Sequence, residues 1–157
     1  MTYSIVAKDK KTSAIGIAVA SRFFACGGMV PFVARNTAVA SQAFCNPLWG
    51  IEGRDRLNAG EKANNVLNDF VDRDAGQSIR QAHMIDMYGD IHAHTGSDCV
   101  DWAGHASANL VSVAGNMLVG ENVVRDTLTS YQDNINEDFL DRLLLAMDAG
   151  EKAGGDK

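Results

Sequence analysis

Apolar and polar positions along the chain follow two periods, which predict strands followed by helices, twice over. Alternation with a period of two predicts strands over residues 3–7, 13–20, 29–34, 37–44, 79–87, 91–95 and 109–115. A period near 3.6 predicts helices over residues 48–59, 62–72, 121–131 and 137–149. Asn136 is the expected N-cap of the last helix. Its predicted apolar stripe consists of Phe139, Leu140, Leu143, Leu144 and Met147.

Short turns and strands that are apolar on both faces determine the predicted fold class. The turns at residues 8–11, 35–36 and 88–90 are the length that joins antiparallel hairpin strands. The strand at 13–20 has apolar groups on both faces, and one face carries only small groups. Such a strand is buried on both sides. The sequence therefore predicts an α+β domain over residues 1–157, an αββα four-layer sandwich of two antiparallel sheets between helical layers.

Composition narrows the range of partners. Hydrophobic residues make up 46% of the chain and charged residues 22%, which is ordinary for a globular protein. The net charge of -6 argues against nucleic acid or an anionic membrane as a partner. The three cysteines form no C-x-x-C pair, and their odd number favours a reducing, cytoplasmic location. We expect a small-molecule substrate, and the apolar strand at 29–34 together with the small-residue faces favours a homo-oligomer.

The first residues carry a possible nucleophile. Thr2 follows the initiator methionine, and methionine aminopeptidases accept a small second residue, so Thr2 can become the N-terminus. An N-terminal threonine combines a hydroxyl nucleophile with an α-amine base whose reference pKa is about 8. The simpler interpretation is that Thr2 has no role beyond following the start codon.

Other reactive side chains give weaker signals. His92 and His94 share one strand face, and His105 follows, so these three histidines could hold a zinc ion. No second pair is spaced to complete a tetrahedral site, and the prediction is no metal and no cofactor. Cys26 and Cys45 are more typical of small buried hydrophobes than of nucleophiles. Neither a serine-hydrolase elbow nor a nucleotide-binding glycine loop is present.

Three polar loops lie at the ends of predicted strands, where the sites of layered folds gather. They are Ser21-Arg22, residues 42–46 and Gly115-Asn116. The Asn116 amide could polarise a carbonyl. Taken singly, Asn116 could equally start a turn and Arg22 could be an ordinary surface charge.

Several spaced motifs together resemble domain-of-unknown-function family 1028. They are Thr2-Tyr3-Ser4-Ile5-Val6-Ala7, residues 15–24, Val30-Pro31, Gln42-Ala43-Phe44, Asn46-Pro47, Ala93-His94-Thr95-Gly96, Trp102-Ala103-Gly104-His105, Gly115-Asn116-Met117-Leu118 and the final Ala153-Gly154-Gly155-Asp156. The resemblance implies an N-terminal-nucleophile (Ntn) hydrolase-like fold with Thr2 at the nucleophile's place. The family has no settled reaction, so the resemblance implies no particular substrate. Family members usually continue past the final motif, and we therefore expect a domain that is incomplete at its C-terminus.

The leading hypothesis is an Ntn-type amidohydrolase that cleaves a small amide, lactam or ureido compound. Thr2 would be the nucleophile after loss of Met1, and Asn116 with a backbone amide near Ser21 would form the oxyanion hole. The expected substrate-binding residues are Arg22, Gln42, Asn46 and His94. Two alternatives remain: a non-catalytic binding or structural protein on the same scaffold, and a metal hydrolase built on the three histidines.

Overall fold

Two groups of strands, two pairs of longer helices and one four-residue helix form the protein, for which the computed structural model describes residues 1–155. The strands are β1 Thr2–Lys8, β2 Ile15–Ser21, β3 Pro31–Val33, β4 Ala38–Ala43, β5 Arg80–Ile85, β6 Ile91–Thr95, β7 Trp102–Ala108 and β8 Val111–Leu118. The helices are α1 Cys26–Met29, α2 Pro47–Asn58, α3 Ala63–Arg73, α4 Asn122–Asp133 and α5 Phe139–Lys152, and a 3-10 turn spans Gln77–Ile79. None of the helices within residues 1–155 combines the length and apolar character needed to cross a membrane.

The strands form two four-stranded sheets in which the paired strands run antiparallel. The first sheet has the order β2-β1-β8-β7, and the second has the order β3-β4-β5-β6. Thr2, at the start of β1, lies opposite Ser21 on β2 and opposite Asn116 on β8. Directly opposed residues point to the same face of a sheet, so these three side chains gather at one end of the first sheet.

Each sheet is covered on its outer face by one pair of helices. The outer face of the first sheet packs against α4 and α5 in a core built from residues such as Tyr3, Ile5, Val113, Val123 and Leu143. The outer face of the second sheet packs against α2 and α3 around Val39, Met84, Trp49, Leu57 and Phe70. The layers therefore run helix, sheet, sheet, helix, and the predicted α+β four-layer sandwich is confirmed.

The space between the sheets has an apolar end and a polar end. Val6 on β1 packs there against Ala38, Ala40 and Ile85 of the second sheet. Toward the start of β1 the same inner faces carry hydroxyl, amide and imidazole groups instead. The candidate site lies at the polar end.

Local departures from the predicted elements have physical causes. The sequence pattern missed β7, whose small residues alternate weakly, and it missed the four-residue α1. Asn136 does not cap α5, since Asp138 precedes the helix with an extended backbone and no capping side chain. In the predicted stripe of α5, Leu140 and Leu144 are exposed. The face of α5 that packs against the first sheet contains Leu143, and Leu140 and Leu144 lie outside that face.

Candidate functional site

A cavity of about 460 Å³ opens at the end of the sheets where β1 begins. Its polar wall is formed by Thr2, Ser21, Arg22, Gln42, Asp98 and Asn116. Its apolar wall includes Phe23, Met29, Phe44, Val100 and Met117. The volume lies in the range of small-molecule pockets, and a mainly apolar lining with few polar groups is typical of such pockets.

The hydroxyl of Thr2 is fixed by its neighbour on β2. Thr2 Oγ1 lies 2.8 Å from Ser21 Oγ, and Ser21 Oγ donates to the carbonyl oxygen of Met1 at 2.9 Å. The single hydroxyl hydrogen of Ser21 is used in that bond, so Thr2 is the donor to Ser21. The amide of Phe23 also donates to Ser21 Oγ, at 3.1 Å. Ser21 thus holds the threonine hydroxyl in one orientation at the cavity wall.

Met1 shares the cavity with Thr2. It lines the cavity, and its terminal amine lies 3.8 Å from the sulfur of Met117. While Met1 is attached, the nitrogen of Thr2 belongs to a peptide bond and cannot act as a base. The chemistry available at Thr2 therefore depends on whether Met1 is present.

Asn116 lies across from Thr2 on β8 and is buried, with 3% of its surface exposed. Its Nδ2 donates to Gln81 Oε1 at 3.0 Å. The second N–H of this amide is available for a ligand in the cavity that Asn116 lines. This N–H is the group that the predicted oxyanion role requires.

Gln42 also reaches the cavity wall, but its polar atoms are engaged inside the protein. Its Nε2 donates to Gln81 Oε1 at 2.8 Å and to the carbonyl of Ala114 at 3.2 Å. Its Oε1 accepts from Ser4 Oγ at 2.6 Å. Gln42 therefore shapes the floor of the cavity more than it offers free groups to a ligand.

Behind the cavity, six buried polar residues join the inner faces of the two sheets, and we call this set the polar seam. Its members are Ser4, Gln42, Gln81, His83, Ser112 and Asn116, each at most 3% exposed. The imidazole of His83 bridges the sheets, with Nε2 2.9 Å from Ser4 Oγ and Nδ1 3.0 Å from Ser112 Oγ. Burial lowers the pKa of His83 to about 3, and the nearby His105 adds to the lowering. His83 is consequently neutral at physiological pH.

Arg22 supplies positive charge at the rim. It is exposed, and within residues 1–155 no hydrogen bond or ion pair engages its guanidinium. The exposed rings of Phe23 and Phe44 belong to the same wall. An unpaired guanidinium beside apolar surface suits a ligand that carries a carboxylate and an apolar group.

Two cysteines, Cys45 and Cys99, line the cavity, and the thiol of Cys99 is not activated. The Cys99 thiol donates to the carbonyl of Arg80 at 3.5 Å, and burial raises the pKa of Cys99 above its usual value. A raised pKa keeps the thiol protonated and unreactive. Thr2 is therefore a better candidate nucleophile than Cys99.

Two predicted substrate-binding residues, His94 and Asn46, are not among the residues that line the cavity. His94 faces helix α2 on the outer side of the second sheet, where its ring lies 5.9 Å from that of Trp49 and its Nε2 lies 2.9 Å from the carbonyl of Gln77. Asn46 caps α2 by accepting from the amide of Leu48 at 3.0 Å. Side chains alternate between the two faces of β6, and His94 lies on the outer face. The Asn46 side chain is engaged in the cap of α2.

The three histidines of the metal hypothesis do not converge either. His105 lies 2.8 Å from Thr95 Oγ1, on the inner side of the second sheet. His94, the preceding neighbour of Thr95, points to the opposite face. Among residues 1–155 no group of three histidine, cysteine or acidic side chains is placed to hold a metal ion.

The supporting residues Ser4, Gln81 and His83 were not predicted from the sequence. A usable signal existed in β5, where Gln81, His83 and Ile85 alternate with Ala82 and Met84 in a strand buried on both faces. Polar residues at every second position of such a strand must find partners across the sheet interface.

Comparison with known proteins places this geometry in a family. The model of the family described as a family of unknown function (DUF1028) matches residues 2–157. A crystal structure of a DUF1028 protein from Silicibacter pomeroyi is similar, with 33% identity and a TM-score of 0.92 over 98% of this chain and 71% of that chain. No curated protein matches the chain significantly. By the family match and by this structural relative, the chain belongs to the DUF1028 family.

Proposed function

We propose that the protein is an Ntn-type amidohydrolase that cleaves a C–N bond of a small amide, lactam or ureido compound, with Thr2 as nucleophile. The observation that carries the proposal is the Thr2 hydroxyl, held 2.8 Å from Ser21 Oγ at the wall of a cavity of about 460 Å³. A nucleophile at the start of a strand, in a cavity of ligand size, is the arrangement that this chemistry requires.

Removal of Met1 is the activating step in this proposal. It converts the nitrogen of Thr2 from a peptide amide into an amine with a pKa near 8, which is partly unprotonated at neutral pH. It also frees Ser21 Oγ from the Met1 carbonyl that it now contacts at 2.9 Å. Ser21 can then hydrogen-bond the new amine and keep the base beside the hydroxyl.

The reaction follows from these positions. The Thr2 hydroxyl oxygen attacks the substrate carbonyl carbon while its proton passes to the Thr2 amine, directly or through a water. The C–N bond breaks, the leaving nitrogen takes that proton, and the acyl group remains as an ester on Thr2. Water then attacks the ester carbonyl, which releases the acid and restores the hydroxyl. Asn116, opposite Thr2 on β8, donates its second N–H to the oxyanion in both steps.

The cavity wall supports a substrate that combines an apolar group with a carboxylate. Phe23, Phe44 and Val100 offer exposed apolar surface, and Arg22 offers a guanidinium that engages no other described residue. A guanidinium binds a carboxylate with two parallel hydrogen bonds, which would orient the scissile amide with respect to Thr2.

The decisive experiment compares three forms of the protein against a panel of small amides that carry apolar groups and carboxylates. The first form has Met1 removed, verified by intact mass. The second keeps a residue in front of Thr2, and the third carries Thr2→Ala. We expect turnover from the first form only, because the amine base is missing from the second and the nucleophile from the third.

Two further variants serve as controls. Thr2→Ser keeps a hydroxyl and an amine and should retain activity within about tenfold of the parent. Thr129→Ala removes an exposed threonine hydroxyl from α4 and should leave the rate unchanged. Equal turnover by Thr2→Ala and the parent would contradict the proposal. Ligand binding without turnover by any form would favour the non-catalytic alternative.

A further inference from the structure

We propose that Gln81 is a positioning residue that fixes the orientation of the Asn116 amide beside Thr2. The inference rests on the proposed function, since it assigns Asn116 a donor role toward the substrate. Gln81 lies on β5 of the second sheet, is 0% exposed, and contacts Asn116 across the sheet interface.

Two backbone carbonyls determine which end of the Gln81 amide faces which neighbour. Gln81 Nε2 lies 2.9 Å from the carbonyl oxygen of Gly115 and 3.1 Å from that of Gly104. A carbonyl oxygen only accepts hydrogen bonds, so the group facing it must be the NH₂ end. The oxygen of Gln81 must then face the other way, toward the cavity side of the polar seam.

The Gln81 oxygen in turn fixes two further amides. Gln81 Oε1 lies 3.0 Å from Asn116 Nδ2 and 2.8 Å from Gln42 Nε2. Both neighbours must present N–H groups to it, because an oxygen in either position would face another oxygen. The Asn116 side-chain amide therefore cannot flip by 180° without losing a buried hydrogen bond.

The same logic continues to His83 and gives an independent check. Gln42 Nε2 also faces the carbonyl of Ala114, so Gln42 Oε1 must accept from the Ser4 hydroxyl. Ser4 Oγ has then used its hydrogen and accepts from Nε2–H of His83. His83 is thus the neutral Nε2–H tautomer, and its Nδ1 accepts from Ser112.

The consequence for the site concerns the transition state. With one N–H of Asn116 held by Gln81, the other N–H projects from the same nitrogen beside Thr2. If the Asn116 side-chain amide were flipped by 180°, its oxygen would face the developing oxyanion and repel it. Gln81 excludes that orientation before substrate arrives, so its effect falls on the chemical step and not on substrate binding.

The activity test uses Met1-free protein and a variant that removes the amide with little change in volume. We expect Gln81→Met to lower kcat by about tenfold or more and to change KM by less than about threefold. The double variant Gln81→Met/Asn116→Ala should be no slower than Asn116→Ala alone, because Gln81 acts through Asn116. Thr129→Ala, which removes an exposed hydroxyl on α4 outside the polar seam, is the control and should keep kcat within about threefold. Additive losses in the double variant, or a change confined to KM, would overturn the assignment.

A nuclear magnetic resonance measurement tests the same assignment without turnover. The side-chain amide of Asn116, identified by its loss in Asn116→Ala, should show one slowly exchanging proton near the Gln81 side chain in the wild-type protein. Gln81→Met should abolish that protection, and His83 in the wild-type protein should show the Nε2–H tautomer. If the protein hydrolyses none of the amide substrates but these signals are present, the proposed function fails and the positioning by Gln81 stands. Fast exchange of both Asn116 protons in the wild-type protein would overturn the positioning, and this holds even if Gln81→Met does not fold.

Discussion

Two buried tyrosines contact the helical layer on the first sheet with opposite hydrogen-bonding outcomes. Tyr3 on β1 donates its hydroxyl to the carbonyl of Met147 at 2.8 Å. The hydroxyl of Tyr131 on α4 is buried and has no partner within residues 1–155. The Tyr131 ring is nevertheless well placed, with the guanidinium of Arg142 3.7 Å from its centroid. The ring of Tyr131 stabilises the fold, and its hydroxyl does not.

Removal of the Tyr3 hydroxyl should therefore destabilise the protein, and removal of the Tyr131 hydroxyl should not. We expect Tyr131→Phe to leave the free energy of unfolding unchanged or raise it by up to about 1 kcal/mol, because a buried group without a partner is removed. Tyr3→Phe should lower it by about 1 kcal/mol, because the hydrogen bond to Met147 is lost. Urea unfolding of the two variants provides the comparison. A similar loss in both would show that the Tyr131 hydroxyl has a partner in solution.

At the residue scale, the sequence predicted the groups near strand ends but not what surrounds them. Thr2, Ser21 and Asn116 were brought together because strand pairing places them opposite one another. His94 and Asn46 were set apart by strand alternation and helix capping, which are properties of neighbouring elements. A residue's surroundings depend on contacts distant in sequence, and local patterns do not encode them.

At the scale of elements, helix α3 begins with a cap supplied by another part of the chain. Lys62 precedes the helix and offers no capping side chain. Asp86, in the turn between β5 and β6, accepts from the amide of Ala63 at 3.0 Å through Oδ2. Its Oδ1 accepts from the amides of Tyr88 at 2.9 Å and Asp90 at 3.0 Å. One buried carboxylate thus joins the helix to the hairpin and satisfies three amides.

Loss of this carboxylate should be costly. We expect Asp86→Ala to lower the free energy of unfolding by about 2 to 3 kcal/mol, because one buried and two partly buried amides lose their acceptor and α3 loses its cap. Asp90→Ala, four residues further along the same hairpin, removes an exposed carboxylate and should cost less than about 0.5 kcal/mol. Chemical denaturation of both variants measures the difference. Equal stabilities would contradict the capping role of Asp86.

Elements with strong periodicity were predictable, and those with weak periodicity were not. Helix α3 has an apolar face of Ala63, Val66, Leu67 and Phe70, and its predicted span is close to the observed one. Strand β7 is an edge strand in which most residues are small, so apolar and polar positions do not alternate clearly along it. The cap by Asp86 joins residues 23 positions apart, so the residues next to α3 could not predict it.

At the scale of the molecule, the two sheets meet through contrasting halves. One half is the apolar cluster around Val6 and Ile85, and the other is the polar seam behind the cavity. The four-layer order could be predicted because strands apolar on both faces require two covering layers. The polar half could not be located in advance, since it requires the register of one sheet upon the other.

The buried histidine of the seam makes the whole fold sensitive to mild acid. His83 faces Ser4 on β1 and Ser112 on β8, and the nearest titratable influence is His105 on β7. Burial lowers the pKa of His83 to about 3 in the folded protein, against 6.5 as its ordinary value. Between these two pH values the unfolded chain binds a proton that the folded chain does not bind. The stabilisation is therefore fully present above pH 6.5 and is lost as the pH falls toward 3.

We expect the free energy of unfolding to fall by about 2 kcal/mol between pH 7 and pH 5 on account of His83, at about 1.4 kcal/mol for each pKa unit. Urea unfolding at the two pH values measures the loss.

The variant His83→Gln can donate to Ser4 and accept from Ser112 without titrating, so its loss of unfolding free energy between pH 7 and pH 5 should be much smaller. The loss that remains in this variant comes from His105, whose pKa burial also lowers. His92→Gln, at an exposed position, should keep the wild-type loss. Carboxylates of lowered pKa, such as those of Asp9 and Asp74, titrate below this window. An equal loss in His83→Gln and the wild type would show that the proton enters elsewhere, and it would remove the neutral imidazole from the account of how the sheets are held together.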